Sequence, residues 1–381
     1  MLYKNCYVFG EDFTFKKGGF SVENGKFTEV FEGESGGEGI DLGGALVLPG
    51  LIDLHNHGNS SADFSDGDYH GLKTMAGYLA KNGITSFAPA SMTLPYDTLS
   101  KAYATAVRLC DERPEGLSKL IGINMEGPFF SEKKKGAQNA DYLKLPDYEA
   151  FKRLFDECRG LLNIVDVAPE LEGAVEFIEK VSKIAAVSLA HTDASYDEAK
   201  AGIDAGATHL THLFNAMPPL HHRKPGVIGA AAEDKRVTGV ELICDGIHVH
   251  PSMVRLAFNI FGAERICLIS DALSCCGVSD GEYMLGGQRV FVSGKTATLA
   301  DGTLAGSATN LFDCMKKAIE FGISPADAVR AASYNPASEL KALDSVGSIA
   351  AGKCADFVVC DEGFNLKEVY IDGKLVKQES E

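Results

Sequence analysis

Short hydrophobic runs alternate with amphipathic segments between residues 50 and 345. The runs have the length of a buried strand. Most are followed by a segment with apolar residues spaced three and four apart, as in Tyr196–Asp204, and this spacing is typical of a helix packed on a sheet. The eight runs are Leu51–Leu54, Ile84–Pro89, Leu120–Met125, Leu162–Ala168, Ile184–Ala190, Ala207–Thr211, Val240–Cys244 and Ile266–Ser270. Eight such units predict an α/β fold, a closed TIM-like (β/α)8 barrel with its functional residues at the carboxyl ends of the strands.

Both ends of the chain show the alternation of apolar and polar residues that is typical of strands. Asn24-Gly25 and Asp372-Gly373 each lie between two such segments and indicate tight hairpin turns. Two sheets too small to be stable alone can pack on each other, so we predict one small β-sandwich domain built from both chain ends. The predicted boundaries are 1–49 and 346–381 for the sandwich and 50–345 for the barrel, with a short β-meander at Tyr283–Leu299.

Composition narrows the classes of protein to be considered. The 381 residues are 45% hydrophobic, and 36 Lys and Arg against 53 Asp and Glu give a net charge of −17. This balance predicts a soluble globular protein and argues against nucleic acid as a partner, because phosphate backbones are bound by clusters of Lys and Arg.

The ten cysteines are scattered from Cys6 to Cys360, without the close spacings of a disulfide scaffold or zinc ribbon. We therefore interpret them as reduced thiols. Residues 1–10 lack the basic and then apolar pattern of a secretion signal, and no apolar run approaches the length of a membrane span. The expected location is cytoplasmic, with no membrane partner.

Histidines follow the first predicted strand. His55 and His57 are two positions apart, and alternate residues of a strand share a face, so both imidazoles are expected to point into the mouth of the barrel. There they could bind one metal ion together, whereas an isolated pair of histidines is more often structural.

Three further strand ends carry metal-binding residue types: Glu126 after run three, His191 after run five and His212 after run six. Two imidazoles and a carboxylate match a catalytic divalent site that leaves a position open for water. Asp271, at the end of run eight, is either a helix cap or a proton shuttle facing that water. His209 alternates with His212 to the opposite face, and we assign it a structural role.

A basic island, His221-His222-Arg223-Lys224, stands out in this acidic chain and follows the metal-ligand candidate His212. It is either an exposed charged loop or a site for an anionic group, for which Arg is suited by its planar fork of donors. His248, further along the loop after run seven, could hydrogen-bond a substrate carbonyl.

Several motifs resemble those of the amidohydrolase superfamily, and more narrowly of N-acetylglucosamine-6-phosphate deacetylases. The superfamily resemblance is carried by Leu48–His57 and Gly347–Asp356. The narrower one is carried by Glu126–Phe129, Lys135–Gln138, His212–Met217 and Asp301–Ser307. It implies hydrolysis of N-acetyl-D-glucosamine 6-phosphate to D-glucosamine 6-phosphate and acetate.

The resemblance also implies roles for individual residues. Glu126, His191 and His212 would hold a metal ion, and Asp271 would be the catalytic acid and base. The sugar phosphate site would comprise Ala137, Gln138, Asn215, Ala216, Arg223, His248, Leu304, Ala305 and Gly306. Arg223 would reach the phosphate across the interface of a homodimer. Some members of the family have His in place of Gln138, and some lack one histidine of the first pair. Here His55 and His57 are both present. Two ions are therefore possible, with Glu126 as their bridge.

Three questions stay open at this stage. We expect zinc, but iron, manganese or cobalt would suit the same ligands. A deaminase or a ring amidohydrolase could use the same barrel, although the lysine that dihydroorotase-type enzymes carry at strand four is absent from Val167-Ala168-Pro169-Glu170. A non-catalytic scaffold would be expected to have lost ligands, and here every expected ligand position is filled.

Overall fold

The chain begins with five strands, which precede the predicted barrel. This computed structural model describes residues 1–285 and 287–376, so 377–381 of the predicted C-terminal segment and Gly286 of the predicted meander lie outside the described residues. The first five strands are β1 (Leu2–Phe9), β2 (Phe15–Glu23), β3 (Lys26–Glu32), β4 (Ile40–Asp41) and β5 (Leu46–Pro49).

Strands and helices then alternate, as the hydrophobic pattern predicts. The strands are β6 (Leu51–Asn56), β7 (Gly58–Asn59), β8 (Ala62–Asp63), β9 (Ile84–Ser91), β10 (Lys119–Leu120), β11 (Ile123–Phe129), β12 (Leu162–Val167), β13 (Ala186–Leu189), β14 (His209–Leu210), β15 (Gly239–Ile243) and β16 (Ile266–Ile269). The helices are α1 (Tyr69–Lys81), α2 (Tyr96–Glu112), α3 (Tyr148–Glu157), α4 (Ala174–Val181), α5 (Tyr196–Asp204), α6 (Gly226–Glu233) and α7 (Pro251–Phe261). Local sequence fixes several helix starts: Ser195 and Glu198 form a reciprocal capping box before α5.

Eight parallel strands form the predicted barrel, in the order β6-β9-β11-β12-β13-β14-β15-β16, with β10 added beside β9. Side-chain and backbone contacts join β16 back to β6. The Ser270 hydroxyl donates to Asp53 Oδ2 at 2.5 Å, and the Asp271 backbone N–H donates to the His55 carbonyl at 3.0 Å. The last strand end therefore lies beside the first, which brings Asp271 next to the two histidines of β6.

An antiparallel sheet follows the barrel strands and covers part of the mouth. It comprises β17 (Gly281–Leu285), β18 (Gln288–Ser293), β19 (Thr296–Leu299) and β20 (Leu304–Ser307), and it agrees with the predicted meander. Leu285 and Ala305 pack against Met92 and Leu273 of the barrel loops. The helices α8 (Leu311–Glu320), α9 (Pro325–Ala332) and α10 (Tyr334–Glu339) complete this part.

The last strands are β21 (Phe357–Cys360), β22 (Leu366–Ile371) and β23 (Lys374–Leu375), and they join the first five in one sheet, ordered β23-β22-β21-β5-β1-β2-β3 with β4 beside β1. Phe20 and Phe357 are three strands apart, about 14 Å in a flat sheet. Their ring centroids are nevertheless only 4.9 Å apart. The sheet therefore folds over on itself, and its halves face each other around an aromatic core, as expected for a sandwich built from both ends.

The helices of residues 1–285 and 287–376 include none that is both long and apolar enough to cross a membrane.

Candidate metal centre and active site

The predicted metal ligands and Asp271 lie near or just after the carboxyl ends of barrel strands, except Glu126, which lies within β11. His55 and His57 come from the end of β6, Glu126 from β11, His191 follows β13, His212 follows β14 and Asp271 follows β16. Because parallel strands open their carboxyl ends on one face of the barrel, residues far apart in sequence converge there. All six are buried.

Glu126, His191 and His212 form one compact triad. Oε1 of Glu126 lies 3.0 Å from Nε2 of His191 and 3.2 Å from Nε2 of His212, and the two Nε2 atoms are 3.1 Å apart. A tetrahedral ion with ligand bonds of about 2.0 to 2.1 Å keeps its ligands about 3.3 Å apart. The three atoms therefore have nearly the spacing that a divalent ion requires.

His55, His57 and Asp271 form a second, more open triad, whose ligand atoms lie within 4.8 Å of one another. Oδ1 of Asp271 is 3.3 Å from Nε2 of His57 and 3.7 Å from Nε2 of His55. Glu126 lies between the triads, because its Oε2 is 3.3 Å from Nε2 of His57. Its two oxygens thus face ligands of both groups.

The hydrogen bonds at Nδ1 of His55, His57 and His191 show which nitrogen of each imidazole is available to a metal ion. Nδ1 of His57 lies 3.1 Å from the Ala90 carbonyl, Nδ1 of His191 lies 2.9 Å from the Lys134 carbonyl, and Nδ1 of His55 lies 2.8 Å from Glu241. These partners only accept hydrogen bonds, so each Nδ1 carries a proton and Nε2 is the nitrogen that faces the site and is available to a metal ion. Nε2 of His55 is buried without a hydrogen-bond partner in the described part of the chain. The residues fit one ion in each triad.

The charges of the site also favour cations. Burial alone would raise the pKa of Glu126, but hydrogen bonds with His191 and His212 bring it well below its usual value. Burial also opposes ionisation of Asp271, yet its hydrogen bond with His57 lowers the pKa of this carboxyl. The pKa of His57 is raised: burial lowers it, and Asp271 and Glu126 more than offset that effect. The negative charge of Glu126 and Asp271, which stabilises protonated imidazoles, would also stabilise a bound divalent cation.

Several residues of the site have strained backbones. His191, His212 and Asp271 have φ angles of 43°, 27° and 47°, in the left-handed region that side chains other than glycine rarely adopt. Such strain costs about 1 to 3 kcal/mol per residue and is concentrated at functional sites. Close packing of Gly306 helps to fix Asp271, since a Cβ at Gly306 would come within 3.0 Å of the Asp271 carbonyl oxygen.

A cavity of about 270 Å³ opens above the triads. It is lined by eight of the nine predicted substrate residues, namely Ala137, Gln138, Asn215, Ala216, His248, Leu304, Ala305 and Gly306. Arg223, the ninth, lies outside this lining. It is exposed in a short turn, where its guanidinium is 2.8 Å from Nε2 of His222. His55 also does not line the cavity and lies beneath its floor.

Two polar side chains of the cavity have fixed orientations. The Gln138 amide oxygen accepts from the Thr93 backbone N–H at 2.8 Å, and its Nε2 donates to Oε2 of Glu126. Nδ1 of His248 lies 2.7 Å from Asp245 Oδ2. Burial works against ionisation of Asp245, but the bond to His248 lowers the pKa of this carboxyl. The opposite edge of the His248 imidazole is therefore directed to the cavity.

Some residues around the site were not assigned from the sequence. Phe130 stacks on the His191 ring at 4.3 Å between centroids, and Asp245 orients His248. Glu241, buried in β15, contacts His55, His209 and the backbone N–H of His212. Its signal in the sequence is a single acid within the apolar run Val240–Cys244. His209 stays outside both triads and contacts Glu241 and Glu339.

Glu241 and His209 form a buried ion pair. Burial opposes charge on both, yet His55 and His209 lower the pKa of Glu241 to about 2, while Glu241 and Glu339 raise the pKa of His209 to about 10. Asp166 nearby behaves differently: burial and then repulsion from Glu241 raise the pKa of Asp166 well above its usual value.

Comparison with known proteins agrees with this arrangement. The profile of the amidohydrolase family matches residues 46–376. The chain belongs to the amidohydrolase family. Within this family it is 38% identical over 368 residues to N-acetylglucosamine-6-phosphate deacetylase of Bacillus subtilis (strain 168), covering 94% of this chain and 92% of that protein. It is 35% identical over 332 residues to N-acetylgalactosamine-6-phosphate deacetylase of Escherichia coli O157:H7, covering 87% of each.

Solved amidohydrolase structures share the whole fold. A mutant N-acetyl-D-glucosamine-6-phosphate deacetylase from Mycobacterium smegmatis, in complex with N-acetyl-D-glucosamine-6-phosphate, aligns with a TM-score of 0.92 at 30% identity over 99% of this chain and 98% of that one. The N-acetylglucosamine-6-phosphate deacetylase from Thermotoga maritima aligns with a TM-score of 0.88 at 30% identity over all of both chains. The metal dependence of the family agrees with the two groups of ligand residues found here.

Proposed function

We propose that this amidohydrolase removes the acetyl group from N-acetyl-D-glucosamine 6-phosphate, giving D-glucosamine 6-phosphate and acetate in amino sugar catabolism or recycling. The observation that carries the proposal is the position of Glu126, whose two carboxylate oxygens face ligands of both triads directly below the cavity. The deacetylase relatives, which align over most of the chain, support the choice of substrate.

The metal ligands are proposed to be Glu126, His191 and His212 for one ion and His55, His57 and Asp271 for a second, with Glu126 shared. Bound divalent ions would supply Lewis-acid polarisation of the acetamide carbonyl and a lowered pKa for water. Zinc is our first candidate, and iron, manganese or cobalt would suit the same nitrogen and oxygen ligands.

Asp271 is the proposed acid and base. Its carboxylate is ionised, so it can accept a proton from the attacking water at Oδ1 or Oδ2. The same carboxyl group then returns this proton to the nitrogen of the departing amine. Because Asp271 also faces His57 at 3.3 Å, its position is fixed before substrate binds.

The remaining cavity residues are proposed to hold and orient the substrate. His248, fixed by Asp245, is placed to donate to a substrate oxygen, and Gln138 holds Oε2 of Glu126. Further walls, which would exclude water from the reacting carbonyl, are formed by Ala137, Asn215, Ala216 and residues Leu304–Gly306 of β20.

Arg223 is proposed to bind the substrate phosphate in the active site of a second copy of the chain. Its exposure and its position outside the cavity of its own chain agree with a role across a homodimer interface. Its planar guanidinium can form paired hydrogen bonds with a phosphate.

The protein is also proposed to be cytoplasmic, because its ten cysteines are free thiols, as in a reducing compartment. The domain boundaries 1–49, 50–345 and 346–381 are proposed as the units of the fold.

The direct test is acetate release by zinc-loaded protein from N-acetyl-D-glucosamine 6-phosphate, the unphosphorylated sugar and N-acetyl-D-galactosamine 6-phosphate. We expect kcat/KM to be about a hundredfold lower without the phosphate, equivalent to roughly 3 kcal/mol of lost charge-assisted hydrogen bonding. Preference for the galactosamine compound would assign the same reaction to the other sugar. Bound zinc without acetate release from any of the three would overturn the proposal in favour of a deaminase or ring amide hydrolase.

A further inference from the structure

One buried carboxylate connects the two ligand triads from below. Glu241 has no exposed surface, and both of its oxygens are occupied. Oε2 accepts from Nδ1 of His55 at 2.8 Å and from the backbone N–H of His212 at 3.1 Å. A ligand residue of each triad is therefore bound to the same oxygen atom.

The contact with His55 differs from those made by the other histidines. Nδ1 of His57 donates to the backbone carbonyl of Ala90 in β9, and Nδ1 of His191 donates to that of Lys134. The position of these acceptors is set by the backbone. Nδ1 of His55 donates to a carboxylate carried by a side chain of another strand. Its orientation therefore depends on the presence of that carboxylate, and a charged acceptor also makes the imidazole a stronger metal ligand.

A second set of contacts fixes Glu241 from the other side. Oε1 lies 3.1 Å from Nε2 of His209, and Nδ1 of His209 lies 2.9 Å from Oε2 of Glu339. Gly239 leaves room for this pair, because a Cβ there would lie 2.1 Å from Nδ1 of His209. The Glu241 carboxylate thus has one defined position, and its oxygens are not free to exchange partners.

We infer that Glu241 is a positioning residue that determines metal occupancy at the His55, His57 and Asp271 triad, while the Glu126, His191 and His212 triad needs it less. The ligand atoms of Glu126, His191 and His212 are already closely spaced. His212 contacts Glu241 only through its backbone N–H. This inference rests on the proposed two-ion site. Glu241 itself touches no substrate atom, since it does not line the cavity.

The test is zinc content in full-length wild type and Glu241→Gln, measured by mass spectrometry after dialysis, with affinities from competition against a chelator. Gln keeps the size of the side chain but offers one acceptor oxygen to partners that need two. We expect wild type to bind zinc at both triads. In the variant, affinity at the second triad should fall about 10- to 100-fold. The first triad should stay filled.

Asp166→Asn is the matched control. Asp166 is equally buried in the barrel, but its carboxyl oxygens have no hydrogen-bond partner among the described residues, so both ions should remain. The double variant His55→Gln, Glu241→Gln separates positioning from general destabilisation. If Glu241 acts through His55, adding Glu241→Gln to His55→Gln should cause no further loss of zinc.

Wild-type zinc content at both triads in Glu241→Gln would overturn the inference, as would equal losses in Asp166→Asn. If Glu241→Gln misfolds, Glu241→Asp replaces it: the shorter side chain keeps the charge but withdraws the carboxylate from His55. Wild-type zinc content at both triads in that variant would also overturn the inference. The measured quantity is bound zinc, so this test is independent of the proposed reaction. A wild-type protein that binds both ions but releases no acetate would contradict the deacetylase proposal and not this inference.

Discussion

Oδ1 of Asp271 lies 3.3 Å from Nε2 of His57, so the proposed acid and base is also within reach of a metal ligand. The two residues come from opposite ends of the barrel sequence and meet because β16 returns to β6. The arrangement gives Asp271 two proposed functions, proton transfer and metal binding.

Replacing Asp271 by Asn should lower kcat by about 10²- to 10⁴-fold, because the amide cannot accept the proton from water. Zinc at Glu126, His191 and His212 should be retained, since none of these ligands depends on Asp271. Acetate release and zinc content are measured on the same preparation. Asp313→Asn, which removes a partly exposed carboxylate at the start of α8, is the control. Near-normal activity of Asp271→Asn would exclude Asp271 from proton transfer.

Arg223→Ala should raise KM for the phosphorylated substrate and leave the rate on the unphosphorylated sugar unchanged. The reason is that only the phosphate is expected to contact the guanidinium. Arg236→Ala removes the same charge from a surface pair with Asp204 and Asp234 and should have no effect on KM. An unchanged KM in Arg223→Ala would refute the anchoring role.

Mixed dimers test whether Arg223 acts across subunits. Arg223→Ala and Asp271→Asn subunits, each poorly active alone, are unfolded together, refolded and assayed. If Arg223 serves the neighbouring site, each hybrid dimer contains one site with both residues. Random reassociation makes about half of the dimers hybrids, so the activity of the mixture should recover toward about a quarter of the wild-type value. If Arg223 serves its own subunit, no hybrid site is complete and activity should stay at the level of the separate variants.

Phe357→Ala should lower the free energy of unfolding by about 3 to 5 kcal/mol. Phe357 is fully buried in the terminal sheet, stacks on Tyr370 at 4.3 Å between centroids and contacts Phe20 from the other chain end. Urea denaturation measures the change. Phe291→Ala is the control: this ring is 41% exposed on β18, and its loss should cost less than about 1 kcal/mol. Equal effects of the two variants would contradict a core shared by the chain ends.

The sequence is sufficient to predict the barrel and most strand ends, because buried parallel strands have continuous apolar runs and the residues after them must converge. Such ends carry His55, His57, His191, His212 and Asp271. Glu126 lies within β11, which continues to Phe129, past the predicted end at Met125. Run boundaries are less precise: Ala207–Thr211 contains a strand of only His209–Leu210, since the backbone turns into the left-handed region at His212.

Other features depend on contacts that no local pattern encodes. Glu241 interrupts an apolar run, and its role is visible only when β15 lies beside the ends of β6 and β14. Gln138 lies on a loop without periodicity, and its orientation comes from Thr93, which is distant in sequence. The strand pattern predicts that the chain ends pack on each other, but not that they join in one sheet, because that depends on the pairing of β5 with β21 from the other end of the chain.

The central claim is that deacetylation occurs at the site centred on Glu126 and requires divalent metal there. The most direct measurement removes metal with a chelator, restores zinc in increments and follows acetate and free amine from N-acetyl-D-glucosamine 6-phosphate, for wild type and Glu126→Gln. We predict that metal-free wild type is inactive, that acetate and amine return in equal amounts as zinc binds, and that Glu126→Gln does not recover. Full activity in protein shown to be metal-free, or in Glu126→Gln, would contradict the claim.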